Sequence, residues 1–408
     1  MGSSANKLVV AMVGLPASGK STVAAKLRQC LEAEGVTVGL FNNGDVRRSM
    51  CQGQDTSCAS FYAPDNAEGA ALRENFARVN MERAAAFLES GGEVAVLDAT
   101  NVSEKRRRTI LEKLGRWPVF FLECVNRDPE LQAASIARKA QLPEFAHMDT
   151  KEAQDCFRER IRYYERIRAP LDGGVENFVV LNTLDNSIER ERVQAVLPHY
   201  RLVRDLLVSD WVRNLYLARH GETFHNLENR IGGDSDLTAK GLVQAQSLAW
   251  HFRETPLPYV FTSTRKRTLQ MAELLCRGRE DCLVIPLPEL DEIDAGVCEN
   301  MTYAEIARDM PEVHEERTRD KYGYVYPRGE GYATLRERVE RGVRKALYLS
   351  GNAENIMIVG HQAVNRTILS HFLYRRTEDV PHIYIPQDRY FHIVSTPSRK
   401  VFELVKFG

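Results

Sequence analysis

Apolar residues fall into short unbroken runs, separated by longer stretches with helical patterning. The runs are Lys7 to Val13, Val36 to Phe41, Glu93 to Leu97 and Asn177 to Leu181, the last expected to close a first sheet, then Leu215 to Ala218, Tyr259 to Thr262 and Asn355 to Val359. A short run apolar at nearly every position reads as a strand buried on both faces, as in a parallel sheet covered by helices. Helical patterning occupies Lys20 to about Glu34, Asp65 to Glu89, Ser187 to Val208 with a break near Pro198, and the stretch from Gly241 to about Phe252. The alternation predicts an α/β protein with a parallel sheet. A length of 408 residues accommodates two domains, and Ser209-Asp210 marks the junction between 1–209 and 210–408. Without a long Gly/Ser/Pro linker they are expected to pack together.

Chemistry-bearing residues stand where the runs end. Gly14-Leu-Pro-Ala-Ser-Gly-Lys-Ser21 follows the first strand and opens a helix, which is the phosphate-loop spacing in its required context. Gly14, Ala17, Ser18, Gly19, Lys20, Ser21 and Thr22 form the candidate phosphate cradle. Lys20 can reach a terminal phosphoryl group and the Ser21 hydroxyl can ligate Mg2+. Asp98 is the expected second acid, holding Mg2+ through water or meeting the acceptor hydroxyl.

In the second half, Leu215-Tyr-Leu-Ala-Arg-His-Gly221 delivers His220 to the C-terminal edge of a buried strand, where open α/β sheets place ligands. A strand-terminal histidine can also merely satisfy a hydrogen bond, but Arg219 beside it offers a charged fork for phosphate oxygens. Gly360-His361-Gln362 repeats the arrangement. Arg267 lies at a helix start, where positive charge is unfavourable unless an anion binds. Glu292 lies among the acids between Glu289 and Glu299; near other carboxylates and partly buried, it could hold its proton as a general acid must. Lys105-Arg-Arg-Arg108 is expected to be a solvated helix face.

Lys plus Arg total 55 against 56 for Asp plus Glu, which argues against a polyanion binder and hence against nucleic acid. No apolar run approaches membrane-spanning length, so no membrane partner is expected. Leu8 to Leu15 runs straight into the phosphate loop, so cleavage there as a leader would destroy the fold. Eight cysteines without a Cys-x-x-Cys pair predict reduced thiols in a cytoplasmic protein.

The first half resembles the kinase half of the bifunctional 6-phosphofructo-2-kinase/fructose-2,6-bisphosphatase family. The carrying residues are the phosphate loop, Phe41-Asn-Asn-Gly-Asp-Val-Arg-Arg48, Pro64-Asp-Asn66, Asp98-Ala-Thr-Asn101, Tyr164-Glu165 and Pro170-Leu-Asp172. The second half resembles the histidine phosphatase (phosphoglycerate-mutase-like) superfamily, and specifically the bisphosphatase half of the same family. Here the carrying residues include Arg219-His-Gly-Glu222, Asn226, Arg230-Ile-Gly-Gly-Asp-Ser235, Thr262-Ser263, Lys266-Arg-Thr268, Asp291 to Glu299 and His361-Gln-Ala-Val364.

The resemblance implies a P-loop NTPase-like domain followed by a histidine phosphatase domain, in a homodimer that makes fructose 2,6-bisphosphate from ATP and fructose 6-phosphate and hydrolyses it. Fructose 6-phosphate would be held by Arg47 or Arg48, Arg73, Thr100, Arg160 and Tyr164, with Lys139 the candidate substrate lysine. His220 would attack the 2-phosphoryl group while Arg219, Arg267, Asn226 and His361 hold its oxygens and Glu292 serves as acid, then base. Gly232, Tyr303, Arg317, Lys321, Tyr332, Gln362 and Arg366 match positions that bind the sugar and its 6-phosphate, and no cofactor is implied in this half. A kinase fused to a phosphatase or mutase with unrelated substrates would lack these sugar-binding residues. A non-catalytic scaffold would be expected to lack Lys20, Asp98, His220, Glu292 or His361.

Overall fold

The computed structural model describes residues 6–51, 55–63, 65–171, 174–194, 196–373, 376–396 and 399–408; Pro64 and Asp172 of the family motifs lie outside them. The chain divides into two compact units, 1–209 and 210–408.

The first unit holds strands β1 (Leu8–Val13), β2 (Val38–Asn42), β3 (Val94–Asp98), β4 (Val119–Val125), β5 (Phe178–Asn182) and β6 (Ser187–Arg192). Their order is β2-β3-β1-β4-β5-β6. The first five are parallel and β6 runs antiparallel to β5. β1 and β3 are buried at every position, as an apolar run covered on both faces requires. β1 lies between β3 and β4, so its C-terminal end opens at the point where the strand order reverses.

The second unit holds β7 (Val212–Arg219), β8 (Tyr259–Thr262), β9 (Leu283–Pro286), β10 (Asn355–Gly360), β11 (Arg389–Ser395) and β12 (Lys400–Lys406), in the order β12-β11-β7-β10-β8-β9. β7, β10, β8 and β9 are parallel, while β11 and β12 form an antiparallel edge. β7 and β10 pair in register, Arg219 opposite Gly360, so the residues that follow them leave the sheet side by side.

Four expectations need correction. Ser187 to Val208 is not one helix: Ser187–Arg192 is the edge strand β6, and only Tyr200–Leu207 is helical. The Ser-Ile-Glu-Arg-Glu-Arg alternation suits a charged edge, and Arg190 and Arg192 both lie over the Phe178 ring. The strand near Asn177 therefore does not close the sheet. Lys105–Arg108 is not wholly solvated: Arg107 is 2 % exposed and donates to the carbonyls of Val102 (2.7 Å) and Pro170 (2.8 Å). Lastly, Cys276 and Cys282 are joined in a disulfide, because the five residues between them bring the end of helix Lys266–Cys276 to within 5.3 Å, Cα to Cα, of the start of β9.

Candidate active sites in the two units

In the first unit β1 ends at Val13 and the chain turns through Gly14, Ala17 and Gly19, all at positive φ. A Cβ on Gly14 would come within 2.4 Å of the Cys124 carbonyl oxygen, so only glycine fits beside β4. Helix Lys20–Ala33 starts with no side-chain cap, leaving its first amides to a ligand. The Gly14 amide donates to the Thr100 carbonyl at 2.9 Å, which ties this loop to the one after β3. These features fit a nucleotide's phosphates. Lys20 is buried and donates to the Leu15 carbonyl, and burial pushes its ammonium down to about 8 against the pull of Asp98. Asp98 is buried at the end of β3 and accepts from Asn42 at 2.6 Å, while Ser21 is exposed. A hydroxyl and a single carboxylate suit a Mg2+ ion whose other ligands are phosphate and water.

Beside the loop, Arg160 lies over the Tyr62 ring at 4.6 Å and Arg73 over Tyr163 at 4.9 Å, and Tyr164 packs against both tyrosines. Arg47 is buried, donates to the Thr56 carbonyl at 2.8 Å and pairs with Glu144, which Arg48 also approaches at 3.6 Å. Lys139 is held below its ordinary value by burial and by Arg160. Lys20, Lys139 and Arg160 are close enough to repel one another, and a polyanion would relieve that repulsion. Tyr62 at the centre and Glu144 carried no sequence signal, since neither sits in a recognisable motif.

In the second unit a cavity of about 390 Å3 opens beyond β7 and β10. Its wall includes Arg219, His220, Asn226, Gly232, Arg267 and Glu292, together with Tyr303, Arg317, Lys321, Tyr332, Gln362 and Arg366. Among the described residues six cations line it, Arg219, Arg230, Arg267, Arg317, Lys321 and Arg366, against one carboxylate, Glu292. The His220 Nδ1 lies 2.8 Å from the Gly221 carbonyl, which can only accept, so Nδ1 carries the proton and Nε2 keeps its lone pair. Burial, then Arg267 and Arg219, hold the His220 imidazole well below its usual value and therefore neutral. The His361 ring is 5.2 Å from that of His220, but it is fully buried and does not reach the cavity wall.

Glu292 is not surrounded by other carboxylates, as its acidic neighbourhood in the sequence led us to expect. It accepts from the amides of Gln362 (2.9 Å), Ala363 (3.2 Å) and Ile293 (3.0 Å), at the start of helix Gln362–Leu373. The segment after Val380 was missed altogether. Lys321 donates to the Pro381 carbonyl (3.1 Å), Arg366 to that of Ile383 (2.8 Å) and Arg219 to that of Ile385 (3.2 Å), while Gln387 holds Asn226 at 3.0 Å. Carbonyls 381, 383 and 385 of one strap, which runs out of the 3-10 helix Thr377–His382, thus fix three of the cations. Tyr324 and Tyr326 also line the cavity, and the tyrosine at every second position from Tyr322 to Tyr326 was the available signal.

Residues 215–407 match the histidine phosphatase superfamily (branch 1), and residues 2–200 match 6-phosphofructo-2-kinase. The chain thus joins a histidine phosphatase domain to a kinase domain. It is 37% identical over 93% of its length to 6-phosphofructo-2-kinase/fructose-2,6-bisphosphatase 4 of Macaca fascicularis, covering 80% of that protein. Human 6-phosphofructo-2-kinase/fructose-2,6-bisphosphatase 3 is likewise 37% identical over 93% of the chain, with 72% of its own length covered. The Caenorhabditis elegans 6-phosphofructo-2-kinase/fructose-2,6-bisphosphatase is 36% identical, with 84% covered. The chain belongs to the 6-phosphofructo-2-kinase/fructose-2,6-bisphosphatase family. Among the described residues no helix is long and apolar enough to cross a membrane.

Proposed function

We propose that the first unit makes fructose 2,6-bisphosphate from ATP and fructose 6-phosphate, and that the second hydrolyses it to fructose 6-phosphate and phosphate through a phosphohistidine. In the first unit the loop amides and Lys20 would hold the ATP phosphates, and Ser21, with Asp98 through water, would hold Mg2+. The ion, when bound, neutralises charge on the transferring group. Arg73, Arg160, Tyr164 and Lys139 hold the sugar phosphate, with Arg47 or Arg48 and Thr100 at its edge. Asp98 orients the acceptor 2-hydroxyl first and takes its proton second.

In the second unit His220 Nε2 attacks the 2-phosphoryl phosphorus as the bond to the sugar oxygen breaks. Arg219, Arg267 and Asn226 hold the phosphoryl oxygens, and Glu292 gives a proton to the departing oxygen. Glu292 then takes one from the water that cleaves the adduct. Arg317, Lys321 and Arg366 hold the 6-phosphate, and Tyr303, Tyr332 and Gln362 the sugar. We also assign the protein to the cytoplasm as a homodimer.

The observation that carries this reading is a cavity that, among the described residues, six cations line, with the neutral His220 imidazole keeping its free nitrogen at Nε2. Brief exposure to fructose 2,6-bisphosphate labelled in the 2-phosphate, followed by an alkaline quench, should leave label on the peptide containing His220. Hydrolysis with label on no histidine would rule out the covalent route.

A further inference from the structure

Between Arg219-His-Gly-Glu222 and Asn226 stands a histidine that the phosphatase reading leaves idle: His225 lines the cavity of the second unit. The four-residue helix Phe224–Leu227 carries it, capped by Thr223, whose hydroxyl accepts from the Asn226 amide at 3.2 Å. Its backbone is tied on both sides. The His225 amide donates to Ser235 Oγ at 3.2 Å, and its carbonyl accepts from the Arg230 amide at 2.8 Å. The ring rests on Gly233. A Cβ there would lie 2.6 Å from His225 Cε1 and 2.8 Å from its Nδ1, so only glycine, at φ 63°, leaves room for the imidazole. Nδ1 is buried with no hydrogen-bond partner, and among the described residues the ring makes no hydrogen bond at all. A hydrogen on Nδ1 would be a buried donor with nothing to accept it, which costs more than an unused lone pair. In the neutral ring the hydrogen therefore sits on Nε2, the nitrogen left open to the cavity.

We propose that His225 is a further substrate-binding residue, its Nε2–H donating to an oxygen of the 2-phosphoryl group that His220 takes up. Two neighbours point to that group rather than to the sugar. Asn226 Oδ1 accepts from the Thr223 amide at 3.2 Å and from Gln387 Nε2 at 3.0 Å. A backbone N–H can only donate, so this end of the Asn226 amide is the oxygen, and its Nδ2 is left to donate into the cavity that Asn226 lines. Arg267 Nη1 donates to the carbonyl of Gly233 at 2.8 Å, so guanidinium and imidazole lie against the same glycine. Asn226 and Arg267 are the groups assigned to phosphoryl oxygens. A third donor placed among them is unfavourable unless an anion lies between, and an N–H bonded to a charged oxygen is the stronger kind of hydrogen bond.

The inference rests on reading the second unit as a phosphohistidine phosphatase, and one of its two tests does not depend on activity. In the full-length chain labelled with 15N-histidine, long-range 1H–15N correlation at about pH 8.5 should show His225 protonated on Nε2 alone, its signals identified by their loss in His225→Gln. With fructose 6-phosphate present, added inorganic phosphate should move the His225 Nε2 resonance. A ring protonated on Nδ1, or a resonance that stays in place, overturns the proposal whether or not the protein hydrolyses a bisphosphate. Kinetically, His225→Leu should lower kcat/KM for fructose 2,6-bisphosphate roughly 10- to 100-fold, as loss of a hydrogen bond to a charged group does. His225→Gln, whose amide nitrogen reaches about the same point, should retain roughly tenfold more activity than the leucine variant. A ring that merely packs would be replaced better by leucine, so equal rates in the two variants, or a faster leucine variant, overturn the proposal. If the wild type hydrolyses nothing, the phosphatase reading fails and the phosphate titration alone decides the role of His225.

Discussion

The imidazoles of His220 and His361 stand 5.2 Å apart, centroid to centroid, because Arg219 pairs with Gly360 across two parallel strands. Each histidine is the next residue after its strand, so register alone brings them together. Two buried rings this close, flanked by Arg219 and Arg267, cannot readily take up protons.

That fixes the sign of one pH effect. The His220 imidazole is held below its ordinary value, so its Nε2 remains nucleophilic as pH falls through 6.5. The single-turnover rate of adduct formation should therefore show no histidine-like acid limb near 6.5. Replacing Arg219 with Ala removes a nearby positive charge, favours the imidazolium and should move the limb up toward 6.5. An unchanged acid limb in the variant would show that the guanidinium does not control His220.

Lys20 makes a stability prediction. Its ammonium titrates near 8 in the fold against 10.5 when unfolded, so between these values the unfolded chain binds a proton that the folded chain has released. Stability of the wild type should rise as pH increases through that window. Lys20→Met should stabilise the first unit by roughly 3 kcal/mol at pH 7, with little gain at pH 10.5 and above, while lowering kinase activity on the order of a hundredfold or more. Denaturant titrations at both pH values read the first effect.

Lys321 should give the second unit an alkaline limb. Burial, then Arg366 and Arg317, push it down to about 8, so the free enzyme loses a phosphate-binding charge as pH rises past that value. A fall in kcat/KM for the bisphosphate above pH 8 is expected, and Lys321→Met should abolish it while raising KM about tenfold. Persistence of the limb in the variant would assign it to another group.

The arginine run offers a paired stability test. Arg107→Ala leaves two carbonyls and a void behind and should destabilise the first unit by roughly 2–4 kcal/mol. Arg108→Ala removes only an exposed pair with Glu104 and should change stability by less than about 0.5 kcal/mol. Comparable losses in the two variants would contradict the burial of Arg107.

Features legible in the sequence were those whose chemistry and spacing are local. The phosphate loop has to be contiguous, and each histidine ends an apolar run that can only be a buried strand. Other features are made by distant chain segments. The strap that fixes Arg219, Lys321 and Arg366 acts through carbonyls at 381, 383 and 385, and a carbonyl has no letter in the sequence. Glu292 looked like one acid among many, yet the fold surrounds it with amides of a helix that begins 70 residues later. β6 was misread because alternating Glu and Arg suits an exposed helix as well as a charged edge, and only the Phe178 ring beneath Arg190 and Arg192 decides between them. Arg107 faces the loop at Val102 and Pro170, whereas Arg106 pairs with Glu74 and Arg108 with Glu104.

The most direct measurement is to follow γ-labelled ATP phosphate in the presence of fructose 6-phosphate, in the wild type and in two variants. Label should pass to the sugar 2-phosphate, then transiently to His220, then to free phosphate. In His220→Ala it should accumulate on the sugar, and in Lys20→Ala it should stay on ATP while added fructose 2,6-bisphosphate is still hydrolysed. Loss of both activities in either variant, or label that never reaches the sugar, would contradict two separate sites acting on one ketose.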